Sequence, residues 1–260
     1  MACKPPNINA ETIINRGLTH LGFRPPEAVL DAFNVRIGSN MAVVPGRVLP
    51  RLSIKYSQGA SPSINAKASW NLKDVKFAVG AALKRMGVLV IKDGKSAEFG
   101  GRQDSTLHTL IADFRRMCAK SGMQVTGEPL YLDVQLPMAR GDPMRNAAID
   151  AIRKVLEPQR GRLDIVMVML PADDTAIYQG LKHLCDVDLG VATVCVQSSK
   201  IRNGNPQYYA NVALKVNAKL GGVNHVLDKK HSEWLDAKRT MIVGMDVTHP
   251  GAGTAGEARK

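Results

Sequence analysis

Apolar positions change their period along this chain, and the changes mark out its elements. In residues 10–22, Ile13, Ile14, Leu18 and Leu21 recur at helical spacing. The rest of the first seventy residues reads as extended, punctuated by Pro5-Pro6, Pro25-Pro26, Pro45 and Pro50, with a short apolar run after Pro26 and a loop at SQGASPS (57–63). From about residue 73 the pattern becomes regular. MGVLVI (86–91), closed by Asp93-Gly94, predicts a strand. Residues 104–121 predict a helix capped by Asp104 or Ser105, with Leu107, Leu110, Ile111, Phe114, Met117 and Cys118 on one face and Gly122 at its end. Residues 123–126 and 130–134 predict short strands, and 144–156 a second helix with Ile149, Ile152, Val155 and Leu156 inward. LDIVMVML (163–170) is apolar on both faces, as a buried parallel strand is. Residues 175–185 predict a third helix, VATVCV (191–196) a buried strand, and 206–220 a fourth helix stopped by Gly221-Gly222. MIVGMDV (241–247) predicts a last strand.

Strands alternating with helices of this length predict an α/β fold: a Rossmann-like open, mostly parallel sheet with helices on both faces, preceded by an irregular linker segment. Ligands of such folds sit beyond the carboxyl ends of the strands. That points to the loops after Leu170 and Val196 and the helices that follow. A chain of 260 residues that is 45% hydrophobic fits one or two folded domains. No apolar run approaches the roughly 18 residues of a membrane span, and MACKPPNINAETIINRGL lacks the apolar centre of a secretory signal. The expectation is a protein without a membrane partner, cytoplasmic or nuclear. Cys3, Cys118, Cys185 and Cys195 show no C-x-x-C spacing, which argues against a disulfide framework or a zinc site. Lys and Arg number 35 against 23 Asp and Glu, a formal charge of +12. Such basicity fits either a nucleic-acid partner or general solubility.

Two constellations carry candidate chemistry. Gly251, Gly253 and Gly256 match G-x-G-x-x-G after a predicted strand, but His249-Pro250 intervenes and only four residues follow Gly256. A dinucleotide site needs a helix, a further strand and a ribose-binding acid there, so a nucleotide-cofactor enzyme is the weaker reading. Tyr178 and Lys182 are four apart on the third helix, and Lys215 and Lys219 four apart on the fourth, so each pair shares a helix face. Together they can hold an anion that carries a flat ring. Ordinary solvated lysine faces give the same spacing.

Three runs weight the choice: LGVATVCVQ (189–197), NVALKVNAKLGGVNH (211–225) and MIVGMDVTHP (241–250). With GRVLP (46–50) and WNLKDVKF (70–77), their order resembles the Argonaute family, and their details resemble its filamentous-fungal, quelling type. The resemblance implies three parts: residues 1–72 as the end of the second linker, 73–238 as the MID domain, and 239–260 as the first strand of the PIWI domain. It implies a small guide RNA as partner, held by its 5′-phosphorylated end in RNA silencing. Tyr178 falls on the tyrosine that stacks on the first base, and Lys182, Lys215 and Lys219 on the lysines that hold the phosphate. Pro171, Ala172, Asp173, Asp174 and Thr175 fall on the loop that senses the first base. Where the family often has a glutamine, this chain has Val194; Thr193, the Cys195 backbone N–H or Gln197 can stand in. Asp246 matches the first metal-binding aspartate of the PIWI nuclease. This stretch alone is expected to hold no cofactor, to cleave nothing and to be a monomer, whereas a full-length relative is expected to be an RNA-guided endoribonuclease using Mg2+. Docking of silencing proteins is the alternative function.

Overall fold

The computed structural model describes residues 5–23, 28–48, 50–57, 61–72 and 75–245. The chain divides into two units, residues 1–50 and 51–260. In the first, one helical stretch runs from Pro6 to His20, with a π-helical turn at Ile13–Gly17, and a short helix covers Ala28–Ala32. The predicted helix over 10–22 therefore begins earlier, where Pro6 occupies a first-turn position that needs no N–H.

Among the described residues of the second unit, four longer strands alternate with four longer helices. They are β1 (Met86–Lys92), α1 (Ser105–Lys120), β2 (Leu130–Gln135), α2 (Asn146–Leu156), β3 (Ile165–Leu170), α3 (Thr175–His183), β4 (Ala192–Gln197) and α4 (Pro206–Lys219). The strands form one parallel sheet in the order β2-β1-β3-β4, with Val88 opposite Met167 and Val166 opposite Thr193. All six residues of β3 are buried. Burying an apolar side chain of that size is worth about 1.5–3 kcal/mol, so the central strand anchors the fold.

Strand residues alternate between two cores. Val88, Val90, Met167, Met169, Val194 and Val196 pack with α1 and α4, while Leu89, Ile91, Val166, Val168 and Leu170 pack with α2 and α3. Three of these four helices, α1, α3 and α4, begin on a side-chain cap. The Asp104 carboxylate accepts from the backbone N–H groups of Thr106 and Leu107, Asp174 from that of Ile177, and Asn205 from that of Gln207. Gly122 ends α1 at φ +93. Gly80 faces it so closely that an added Cβ would meet the Gly122 carbonyl, so only glycine fits there.

Two small pairings flank the sheet. Ala82–Leu83 runs parallel to Gln124–Val125, and Ile54–Lys55 runs antiparallel to Val226–Leu227. The second pairing brings residues from before position 73 into the larger unit. Three helices had no sequence signal strong enough to predict them: Ala28–Ala32, in a stretch that reads as extended, Ser198–Arg202 and Lys229–Ala237. The strand predicted over 241–247 is absent over residues 241–245, which are irregular and exposed. A strand needs a partner for its backbone, and no described residue supplies one there. Asp246 and the G-x-G-x-x-G match lie outside the described residues.

Candidate nucleotide-binding site

α3 and α4 lie on opposite faces of the sheet, and both border β4, which is its edge strand among the described residues. Side chains from the two helices therefore reach round the same edge. They enclose an open cavity of about 420 Å3 lined by Tyr178, Lys182, Asp186, Thr193, Val194, Cys195, Lys215 and Lys219. Six of the seven residues expected to hold the first nucleotide meet here. Gln197 does not: it ends β4 opposite Leu170, and its backbone bonds the Tyr208 hydroxyl. The cavity follows the edge of β4 near its amino-terminal half, not the carboxyl ends of the strands that the fold class suggested. The reason is that β4 has no outer neighbour among the described residues, so its flank is open to both helical layers.

Lys182 is held before any ligand arrives. Its ammonium donates to the Thr193 carbonyl at 2.9 Å and to the Thr193 Oγ1 at 2.6 Å. Thr193 is fully buried, so this anchor is rigid. An ammonium has three protons, which leaves Lys182 one to offer. Lys215 and Lys219 are exposed, with no carboxylate within 4.0 Å among the described residues. Tyr178 presents its ring one turn before Lys182 and is 45% exposed. Val194 is buried against α4 and offers no polar group.

The Cys195 thiol reports the local field. Burial pushes its pKa up, Lys182, Lys219 and Lys215 pull it back, and Asp186 opposes them. All four charged groups therefore converge on one sulfur. Asp186 reads from the sequence as an ordinary loop acid. It lies four residues after Lys182, and because the helix continues as a π-helical segment over Leu184–Leu189, it lines the cavity beside that lysine. Spacing from Lys182 was the available signal.

The loop from Pro171 to Thr175 joins β3 to α3 and does not line the cavity. Asp173 is exposed, whereas Asp174 is committed twice. One oxygen caps α3 through the Ile177 N–H at 3.0 Å, and the other meets Arg145 Nε at 3.2 Å. Arg145 is 2% exposed, adopts φ +59 and reaches the Asp93 carboxylate at 2.6 Å. The hydrogen bond to Asp93 holds its guanidinium above its ordinary pKa, against burial. A buried ion-paired cluster thus joins the ends of β1 and β3 to the start of α3. Asp188 pairs with Arg153 at 2.5 Å and does not enter the cavity.

Among the described residues no three His, Cys, Asp or Glu side chains are placed to hold a metal ion, and no helix is long and apolar enough to cross a membrane.

Comparison with known proteins gives this arrangement a context. The Argonaute linker 2 domain model matches residues 8–56, and the Piwi domain model matches residues 165–259, from β3 onwards. Protein argonaute 1A of rice (Oryza sativa subsp. japonica) is 30% identical over 229 residues, 85% of this chain and 20% of that protein. The chain spans about a fifth of the length of the curated relatives it matches. The C-terminal lobe of a budding yeast Argonaute superposes with a TM-score of 0.58 at 20% identity, over 74% of this chain and 40% of that one. Kluyveromyces polysporus Argonaute with a guide RNA superposes with a TM-score of 0.56 at 18% identity, over 89% of this chain and 29% of that one. These two structural likenesses establish the fold.

Proposed function

Since this chain belongs to the Argonaute family, we propose that the cavity at the edge of β4 binds the 5′-phosphorylated first nucleotide of a small guide RNA. The observation that carries this reading is the convergence of Lys182, Lys215 and Lys219 beside the exposed ring of Tyr178. A terminal phosphate bears up to two negative charges near neutral pH. Charge-assisted hydrogen bonds to ammonium groups are about twice as strong as neutral ones. Stacking of a base on an aromatic ring adds about 1–3 kcal/mol. A 5′-hydroxyl would leave the lysines facing one another without an anion.

Under this reading residues 1–72 end the second linker, 73–238 form the MID domain and 239–260 open the PIWI domain. The loop from Pro171 to Thr175, which leads into Tyr178 without lining the cavity, is assigned to sensing the first base, with Asp173 as its exposed acid. Kinship with filamentous-fungal, quelling-type Argonautes is part of the proposal; the rice relative is a plant protein. Cleavage of RNA is assigned to a full-length protein in which Asp246 is joined by further carboxylates. The described residues offer no cluster of three His, Cys, Asp or Glu side chains that fits a metal ion.

Calorimetric titration with uridine 5′-monophosphate and with uridine tests the reading. The monophosphate is expected to bind and uridine not to, with Lys182→Ala and Lys215→Ala each weakening binding at least tenfold. Equal binding by both variants and the parent chain refutes the assignment.

A further inference from the structure

The cavity contains one group of the wrong sign for an anion site. Asp186 lies among three lysines, is exposed, and has no ion-pair partner within 4.0 Å among the described residues. It is therefore not spent on local structure. Asp188, two residues on, is tied to Arg153, so the two acids of this π-helical segment have different duties.

Resting on the function proposed above, we propose that Asp186 is a specificity-determining residue that suits the cavity to a phosphomonoester end and disfavours diphosphate and triphosphate ends. Three ammonium groups and one carboxylate leave a formal charge of +2 on the cavity walls. A terminal monophosphate carries about −1.5 to −2 and balances it. A triphosphate brings about two further negative charges into the same space, where they meet the Asp186 carboxylate. Two unit charges separated by about 7 Å in a water-like dielectric shift an equilibrium about two- to threefold, which sets the scale for each added charge that comes near Asp186. Asp186 also lowers affinity for the monophosphate, so its effect is selectivity, not strength.

The test is calorimetry with uridine 5′-monophosphate and uridine 5′-triphosphate at fixed ionic strength, without divalent cations. The parent chain is compared with Asp186→Asn and Asp186→Glu. Asp186→Asn is expected to tighten both ligands and to move the affinity ratio toward the triphosphate by about four- to ninefold. Asp186→Glu keeps the charge and is expected to retain the parent ratio. A ratio unchanged within twofold in Asp186→Asn, while Lys215→Ala still loses the monophosphate, overturns this inference and leaves the site assignment standing. Failure of the parent chain to bind the monophosphate at all overturns both.

Discussion

Replacing Asn217 by alanine measures how firmly α4 is seated. Asn217 lies between Lys215 and Lys219 in the sequence but is fully buried. Its Oδ1 accepts from the Ala81 backbone N–H at 2.8 Å, and its Nδ2 donates to the Val79 carbonyl at 3.2 Å and to the Asn224 Oδ1 at 2.9 Å. One side chain thus ties the segment before β1, and the turn after α4, to the helix that carries two of the three lysines. Truncation hits these partners unequally. The Val79 carbonyl keeps the Val223 N–H at 2.9 Å, and Asn224 is only half-buried. The Ala81 N–H is buried and is left without an acceptor, which costs about 1–3 kcal/mol. Adding the net worth of two further hydrogen bonds, about 0.5–1.5 kcal/mol each, brings the expected loss to about 2–6 kcal/mol. For a domain of this size each kcal/mol lowers Tm by about 2–4 °C. Urea denaturation with unchanged slope is the assay, and Asn224→Ala is the comparison, expected to lose about 1 kcal/mol. If Asn217→Ala lies within 1 kcal/mol of the parent chain, the bridge is not holding α4 and the argument is wrong.

Two more perturbations follow from the described contacts. Arg145→Met strands the buried Asp93 carboxylate and is expected to cost about 3–5 kcal/mol in denaturant melts, and adding Asp93→Asn should restore part of that; strictly additive losses would deny the pairing. Asp104 is held below the ordinary carboxylate range: burial would raise its pKa, and the N–H groups of Gly100, Leu107 and Thr106 outweigh burial. Because the folded-state pKa is lowered, its contribution is present above the unfolded value of about 3.9 and fades as pH falls below it. Asp104→Ala is accordingly expected to cost about 1 kcal/mol at pH 7, with the gap to the parent chain closing toward pH 3 in thermal melts. A gap independent of pH would exclude the carboxylate cap.

Where the sequence could be read, burial and caps made it readable. Leu163 to Leu170 is apolar without interruption because β3 is covered on both faces, and α1 shows its stripe because Leu107, Ile111, Phe114 and Cys118 face one core. Asp104, Gly122 and Pro206 sit at helix ends for local backbone reasons that spacing reveals. The cavity was half legible. Tyr178 with Lys182, and Lys215 with Lys219, are helical neighbours in sequence, but their meeting depends on β4 being an edge strand, which no local pattern encodes. The same long-range fact moved the site from the strand ends to the flank of the sheet. Asp186 is four residues after Lys182 and so shares its face, but the sequence after Cys185 reads as a loop, where helical spacing is not applied. Asp174 read only as part of the loop that senses the first base, because its partners, Arg145 and the Ile177 N–H, can be known only from the fold. MIVGMDV (241–247) read as a strand from its apolar run, and an apolar run does not supply the hydrogen-bonding partner that 241–245 lack among the described residues.

The open flank of β4 has a consequence for how the chain behaves toward other copies of itself. An edge strand offers its free backbone groups to any extended segment that comes by, and soluble proteins guard such edges with lysine. Here Lys182 already occupies the Thr193 carbonyl, and Lys215 and Lys219 set like charge along the same border. Two copies approaching edge to edge would repel. An anion that neutralised the lysines would itself lie over the border and shield it. The charge that draws a ligand in and the charge that keeps the chain from zipping onto its neighbour are the same, so this edge is at no stage both bare and uncharged.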